Sequence, residues 1–407
     1  MKNMSISQHR HALKKLVFTS LLGSVLVFTS STVIACNYTE KLSFTTEELR
    51  IADAKIAMPD VFKSVNKLTN EIISSIENIQ TKQSLYQEVN RFGEQLWLDS
   101  KREFANAKKY DDRPLYWSRL VIQQHLKATE FPFELLKKEQ EEVALIFEET
   151  SRGFSDLELD ESDVQYKILI TGFDPFLLDR NIRQSNPSGA TILQLDGKVI
   201  DYNGKKAIIE GAMIPVRFAD FDDGMIEKVL SPFYQSNTID LIATISMGRK
   251  DFDLERFPAR RRSATAPDNQ NVFTGANATT PLIPSLKQQA LEGSEFVEFS
   301  LPTSEMIKAT GIYQVVDNRK ISTLERGTFF ASSLSDLSNQ TSVQGSGGGY
   351  LSNEISYRSI NLRNQLGASI PTGHIHTPRM QDFDSQTLEN IIKQIEKMLT
   401  LSIDTFE

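Results

Sequence analysis

Two clusters near the C-terminus hold residue types that can together do nucleophilic chemistry. Gly345-Ser346-Gly347-Gly348-Gly349 runs into Tyr350, Leu351, Ser352 and Asn353, and Gly373-His374-Ile375-His376-Thr377-Pro378 follows. A glycine run that turns into a helix sets Ser352 at or near the helix N-terminus. Free backbone N–H groups there stabilise negative charge and can form an oxyanion hole. A serine at such a position also serves simply as an N-cap. Histidine is the usual general base near neutral pH. His374 and His376 lie two apart, so on a strand they point the same way, and spacing alone leaves either as the base. His125, in helical sequence without a nucleophile beside it, reads as structural. The glycine run is not a phosphate loop, because no lysine follows it.

These residues need a scaffold. From residue 164 onward short apolar strands alternate with helices: Lys167 to Thr171 leads into Gly172, and Ala207 to Val216 and Ile239 to Ile245 are further strands. Leu388, Ile391, Ile392, Ile395 and Leu399 share one face of a last helix over about 385–400. Such alternation predicts an α/β domain over 164–407, a mainly parallel sheet covered by helices, with function at the C-terminal ends of the strands. The polar stretch 317–342 lacks periodicity and reads as an insertion loop. Residues 36–152 read as an all-helical domain. Thr45 and Glu48 form a capping box, Val65, Leu68, Ile72, Ile76 and Ile79 make an apolar stripe, and helices are predicted at about 82–107, 115–128 and 133–149. This domain suits a spacer or a surface for a protein partner. Asp156, Glu158, Asp160, Glu161 and Asp163 mark an acidic linker over 153–163.

The first 35 residues read as a leader. Lys2, Arg10, Lys14 and Lys15 precede an uncharged run from Leu16 to Ala35, which ends at Cys36, the chain's single cysteine. The pattern is that of a signal peptide with a lipoprotein-type cleavage site, making Cys36 the lipidated residue of an extracytoplasmic, membrane-anchored protein. A retained anchor is the alternative, since 20 apolar-biased residues can just span a bilayer. One cysteine excludes an intramolecular disulfide and a cysteine metal cluster. Loss of the four positive leader charges takes the net charge from −8 to −12, which argues against a nucleic-acid partner. Arg260-Arg261-Arg262 is a short run suited to local salt bridges. No metal site and no cofactor are implied.

Several motifs in consistent order resemble the pyroglutamyl peptidase I family, also called pyrrolidone-carboxyl peptidases. They are Thr171-Gly172-Phe173-Asp174-Pro175-Phe176, Asn186-Pro187-Ser188, Ile214-Pro215-Val216, Leu254-Glu255-Arg256 and Pro267-Asp268-Asn269. Ser346 to Asn353 resembles the nucleophile loop, with Gly348, Tyr350 and Asn353 in place, and Gly373 to Pro378 resembles the histidine motif. The resemblance spans residues 164–400 and implies a three-layer α/β/α sandwich with a Cys–His–Glu triad. It selects His376 as base and then acid, Glu255 to orient it, and Phe173 and Phe176, with Tyr350, to wall an apolar slot for a flat lactam ring. The family nucleophile is cysteine, and this chain has Ser352. Leu177-Leu178 stand where the family has a glycine pair, and Pro258 and Arg260 also depart from its pattern.

The resemblance therefore implies a hydrolase that removes N-terminal pyroglutamate, or a related residue, from peptides through Ser352, His376 and Glu255. The alternative is an inactive relative that binds peptides or other proteins at the cell envelope. A third reading places the protein's business in the helical domain, with the α/β part as scaffold. Homo-oligomerisation stays open.

Overall fold

The computed structural model describes residues 41–107, 109–157 and 163–406. The leader, Cys36 and most of the acidic run lie outside these residues. Six helices come first: α1 (Thr46–Leu49), α2 (Ile51–Ala57), α3 (Pro59–Glu77), α4 (Lys82–Ala107), α5 (Arg113–Ala128) and α6 (Lys137–Thr150). The capping box is present, with Thr45 Oγ1 accepting from Glu48 N–H and Glu48 accepting from Thr45 N–H. Among the described residues no helix is long and apolar enough to cross a membrane.

The α/β part begins with β1 (Tyr166–Phe173), α7 (Pro187–Leu195), β2 (Lys198–Tyr202) and β3 (Lys205–Ile214). Then come α8 (Phe218–Asp222), α9 (Met225–Ser236), β4 (Leu241–Met247) and β5 (Phe252–Glu255). A small hairpin of β6 (Ser285–Leu286) and β7 (Gln289–Ala290) precedes α10 (Thr303–Met306) and β8 (Val315–Asn318). The chain continues through β9 (Lys320–Thr323), β10 (Gly327–Phe330), β11 (Ser342–Gln344), α11 (Leu351–Gln365), β12 (Thr372–Thr377) and α12 (Ser385–Ser402).

Seven strands form the main sheet in the order β2-β3-β1-β4-β12-β5-β8. Strand β1 runs parallel to β3 and β4, β12 runs parallel to β4, and β2 and β5 pair antiparallel with β3 and β12. Because side chains alternate along a strand, each face has its own core. Ile168, Ile170, Leu241, Ala243 and Ile245 pack with Ile192 of α7 and the apolar stripe of α12. Leu169 and Ile242 pack on the opposite face with Ile226 and Leu230 of α9 and Leu351 and Ile355 of α11. The result is the expected α/β/α layering, preceded by the expected all-helical region.

One expectation needs correction. The stretch 317–342 is not a plain insertion loop: β8 extends the main sheet, and β9 lies between β10 and β11 in a three-stranded antiparallel sheet. Strands of three or four residues are too short to print a period. The helical region packs with the α/β part, since residues 39–407 cluster as one compact unit. Ile72 of α3, Trp97 of α4 and Phe147 of α6 share a core with α7, α12 and the sheet.

One buried contact across that junction makes stability depend on pH. Glu210 of β3 lies against Asp196 at the end of α7, and Lys101 of α4 pairs with Asp196. Burial pushes the Glu210 carboxyl from its ordinary 4.5 up to about 9, and the Asp196 charge adds to the effect. Folded Glu210 thus keeps its proton through a range where the unfolded chain has released it. Its contribution to stability is full below pH 4.5, falls as pH rises, and levels off above about 9. Glu210→Gln should flatten this slope. Urea midpoints taken at about pH 5 and about pH 8 should differ less in the variant than in the parent, and equal differences would remove Glu210 as the cause.

Candidate active site

Ser246, Gly248, Gly347, Ser352 and His376 meet at the C-terminal ends of β4 and β12, around a cavity of about 240 Å³. Phe173, Phe176, Val216, Met247, Tyr350 and Leu351 supply apolar walls. The sheet register explains the gathering. Parallel pairing sets Thr244 beside His374 and Ser246 beside His376, and antiparallel pairing sets Asp253 of β5 against His376. Thr244, Ser246, His374 and His376 therefore project to the face that carries α11.

His376 is the base candidate that reaches the cavity. Its Nδ1 makes a short hydrogen bond to Glu255 Oε1, and Glu255 is fully buried. Asn318 Nδ2 donates to the other Glu255 oxygen at 2.9 Å, and Arg249 Nη2 lies 3.6 Å from Oε1. Burial pushes the Glu255 carboxyl up, and the neighbouring His376 imidazole pulls it back. Nε2 of His376 has no hydrogen-bond partner among the described residues. Gly248 gives the ring its space, since a Cβ there would sit 2.6 Å from His376 Cβ and 2.8 Å from Cγ.

His374 does different work. It is fully buried, with Thr244 Oγ1 2.7 Å from Nδ1 and Ser246 Oγ 2.7 Å from Nε2. Burial and the nearby His376 hold it well below the usual imidazole range. It has two hydroxyl partners and no carboxylate, so it is poorly placed to carry the positive charge that a general base acquires. Of the two histidines that spacing left open, His376 alone has an acid behind it.

Ser352 stands in the first turn of α11, whose N-cap is Tyr350. Among the described residues, the N–H groups of Leu351, Ser352 and Asn353 have no acceptor, as the first turn of a helix dictates. Ser352 Oγ donates to Gly347 O at 3.3 Å, and no hydrogen bond joins it to His376. The loop before it is firmly held. Ser346 exchanges hydrogen bonds with Phe257 on both sides, and Gly348 turns the chain at φ 90°, in the left-handed region open to glycine. Asn353 grips Ala259 through both ends of its amide, at 2.9 and 2.7 Å.

Phe173, Phe176 and Tyr350 all line the cavity. Tyr350 stacks on Phe176 at 6.5 Å between centroids, meets Phe218 edge-on at 5.6 Å, and donates its hydroxyl to Pro267 O at 2.8 Å. The structure thus brings Ser352, His376, Phe173, Phe176 and Tyr350 to one cavity with Glu255 behind it. Cys36 falls outside the described residues. Among those residues no cluster of His, Cys, Asp and Glu suits a metal ion.

Sequence reasoning missed Asn318, Ser246 and Arg249. Asn318 falls in the aperiodic polar stretch, and Ser246 lies in an apolar strand that only its register gives a role. Arg249 reaches the site because it donates to Ser346 O at 3.0 Å.

Comparison with known proteins finds two domain families that match parts of the chain. Residues 167–295 and 330–381 match a domain family described as the PA0049 C-terminal domain, and residues 29–148 match the PA0049 N-terminal domain. The particular relative is the uncharacterized protein PA0049 of Pseudomonas aeruginosa, 26% identical over 355 residues, covering 67% of this chain. The match spans 64% of that protein's length, just under two thirds. Solved structures with a related fold include pyrrolidone carboxyl peptidase from the hyperthermophile Pyrococcus furiosus. It is 21% identical, with 59% of this chain and 99% of that one covered and a TM-score of 0.40. A mutant of the same enzyme matches at 21% identity over 58% of this chain and 98% of its own, with a TM-score of 0.39.

Proposed function

We propose that the protein is a serine-dependent hydrolase of the pyroglutamyl peptidase type, releasing N-terminal pyroglutamate or a related cyclic residue from peptides. The observation that carries this reading is His376, held at Nδ1 by buried Glu255, in a cavity it shares with Ser352 at a helix N-terminus. A rotation about χ1 takes Ser352 Oγ from Gly347 O toward the unoccupied Nε2. Oγ then attacks the scissile carbonyl carbon while its proton passes to Nε2. Negative charge on the carbonyl oxygen faces the free N–H groups of the first turn of α11. The imidazolium, stabilised by Glu255, returns the proton to the leaving amine nitrogen as the C–N bond breaks. Water hydrolyses the resulting ester, with His376 taking the proton of the water and giving it back to Oγ.

Serine is harder to activate than a thiol, whose reference pKa of about 8.5 lets a paired histidine make thiolate. It also escapes oxidation and mispairing outside the cytoplasm. That is consistent with our proposal that the chain is exported and lipidated at Cys36.

The test is release of a fluorogenic arylamine from its pyroglutamyl amide by the purified protein, beside Ser352→Ala. Turnover that disappears in the variant is the expected result. Equal rates would rule out Ser352 as nucleophile, and no turnover in either would transfer the weight to peptide binding without hydrolysis.

A further inference from the structure

The buried pair Ser246 and His374 takes no part in the reaction as written, yet Ser246 lines the cavity. Proton bookkeeping fixes what its hydroxyl can offer. A hydroxyl has one proton to donate, and a neutral imidazole has one N–H. Thr244 Oγ1 donates to Gly373 O at 3.3 Å, so toward His374 Nδ1, 2.7 Å away, it acts as acceptor. This pattern assigns the single proton of His374 to Nδ1 and leaves a lone pair on Nε2. The partner of that lone pair, at 2.7 Å, is Ser246 Oγ, which in this assignment donates. The Ser246 proton is thus committed to the interior, and the oxygen has lone pairs alone for anything in the cavity.

A free serine hydroxyl rotates and greets donors and acceptors alike. Here a fully buried histidine, closed off at both nitrogens, removes that freedom. The walls around Ser246 are largely apolar: Phe173, Phe176, Val216, Met247 and Leu351. A ligand that fills this space without an N–H or O–H to give leaves the oxygen desolvated and unpaired. A ligand that brings a donor satisfies it.

We propose that Ser246, polarised by His374 and Thr244, is a specificity-determining residue that selects ligands carrying an N–H donor on a small ring, such as a lactam. This deepens the proposed function and rests on it for the site. It adds a residue that reads the ring nitrogen, separate from the three that break the bond.

The experiment compares binding of two ligands of equal size by calorimetric or NMR titration of the purified protein. One is pyroglutamyl amide and the other is the lactone analogue, in which a ring oxygen replaces the N–H. The parent should favour the lactam by about ten- to a hundredfold, the usual consequence of leaving a buried polar group unpaired. Ser246→Ala should reduce the preference to within about threefold, because the acceptor is gone. Equal affinities in the parent overturn the inference, as does a preference that survives in Ser246→Ala. Binding of neither ligand overturns it too. If Ser246→Ala fails to fold, Ser246→Cys, whose sulfur is a weak acceptor, should shrink the preference in its place, and an unchanged preference there overturns the inference. Lactam preference without turnover would leave Ser246's role intact and remove the hydrolysis, whereas turnover without preference would do the reverse.

Discussion

Glu255→Gln is expected to lower kcat for a pyroglutamyl amide about ten-thousandfold while changing KM little. The expectation comes from which atoms can face which. Glu255 accepts on both sides: from His376 Nδ1–H at Oε1 and from Asn318 Nδ2 at Oε2. A glutamine has one oxygen and one NH2 group. If its oxygen stays with Asn318, its NH2 faces Nδ1 and forces the imidazole into the tautomer protonated at Nε2. That nitrogen then cannot take the proton of Ser352. If the oxygen turns to Nδ1 instead, two NH2 groups meet in a fully buried place. Either arrangement also loses the charge that balances the imidazolium. Kinetics with saturating substrate would check this, and a fall in kcat of less than about tenfold would remove Glu255 from the reaction.

The scaffold was legible where sequence carries a period. The stripe from Val65 to Ile79 falls in and just beyond α3, the 385–400 helix is α12, and the predicted strands near 167, 207 and 239 are β1, β3 and β4 within about two residues. The site was legible through motifs alone, because its partners are distant in the chain. His376 and Glu255 are 121 positions apart, and Asn318 is 63 from Glu255. No local pattern announces such pairs. Ser246 was illegible for the same reason, since it gains its meaning from the neighbouring strand. The packing of the helices against the sheet was illegible because the face that meets the sheet looks, in sequence, like any helix core.

Asp174→Ala should unfold more readily than the parent by about 3–5 kcal/mol, read as a lower urea midpoint. Asp174 is fully buried between Phe173 and Pro175-Phe176, the segment that walls the cavity. Arg119 of α5 reaches its Oδ1 at 3.0 Å, and Arg152, just past α6, reaches Oδ2 at 2.7 Å. Both arginines are almost wholly buried. Arg152 has Glu148 as a second counter-charge at 2.7 Å, while Arg119 has otherwise Ser151, through Oγ at 3.1 Å and the carbonyl at 3.3 Å. Removing the carboxylate therefore strands Arg119 above all, which is why breaking a buried pair costs far more than the pair's net worth. Removing the arginine as well should return part of the loss: the double variant Asp174→Ala with Arg119→Met should be more stable than Asp174→Ala alone. A loss under about 1 kcal/mol in Asp174→Ala would mean that water or rearranged neighbours satisfy Arg119. The same contact ties the helical region to the cavity wall. Asn269 Nδ2 donates to Pro175 O at 2.9 Å, and Arg50 at the end of α1 donates to Asn269 O at 2.6 Å. The loop from Phe173 to Phe176 is thus gripped from both sides by groups that the helices supply or brace. On the hydrolase reading, the helices serve the chemistry by fixing the wall of the slot, and Asp174→Ala should raise KM beyond what its lowered stability explains at temperatures where it stays folded.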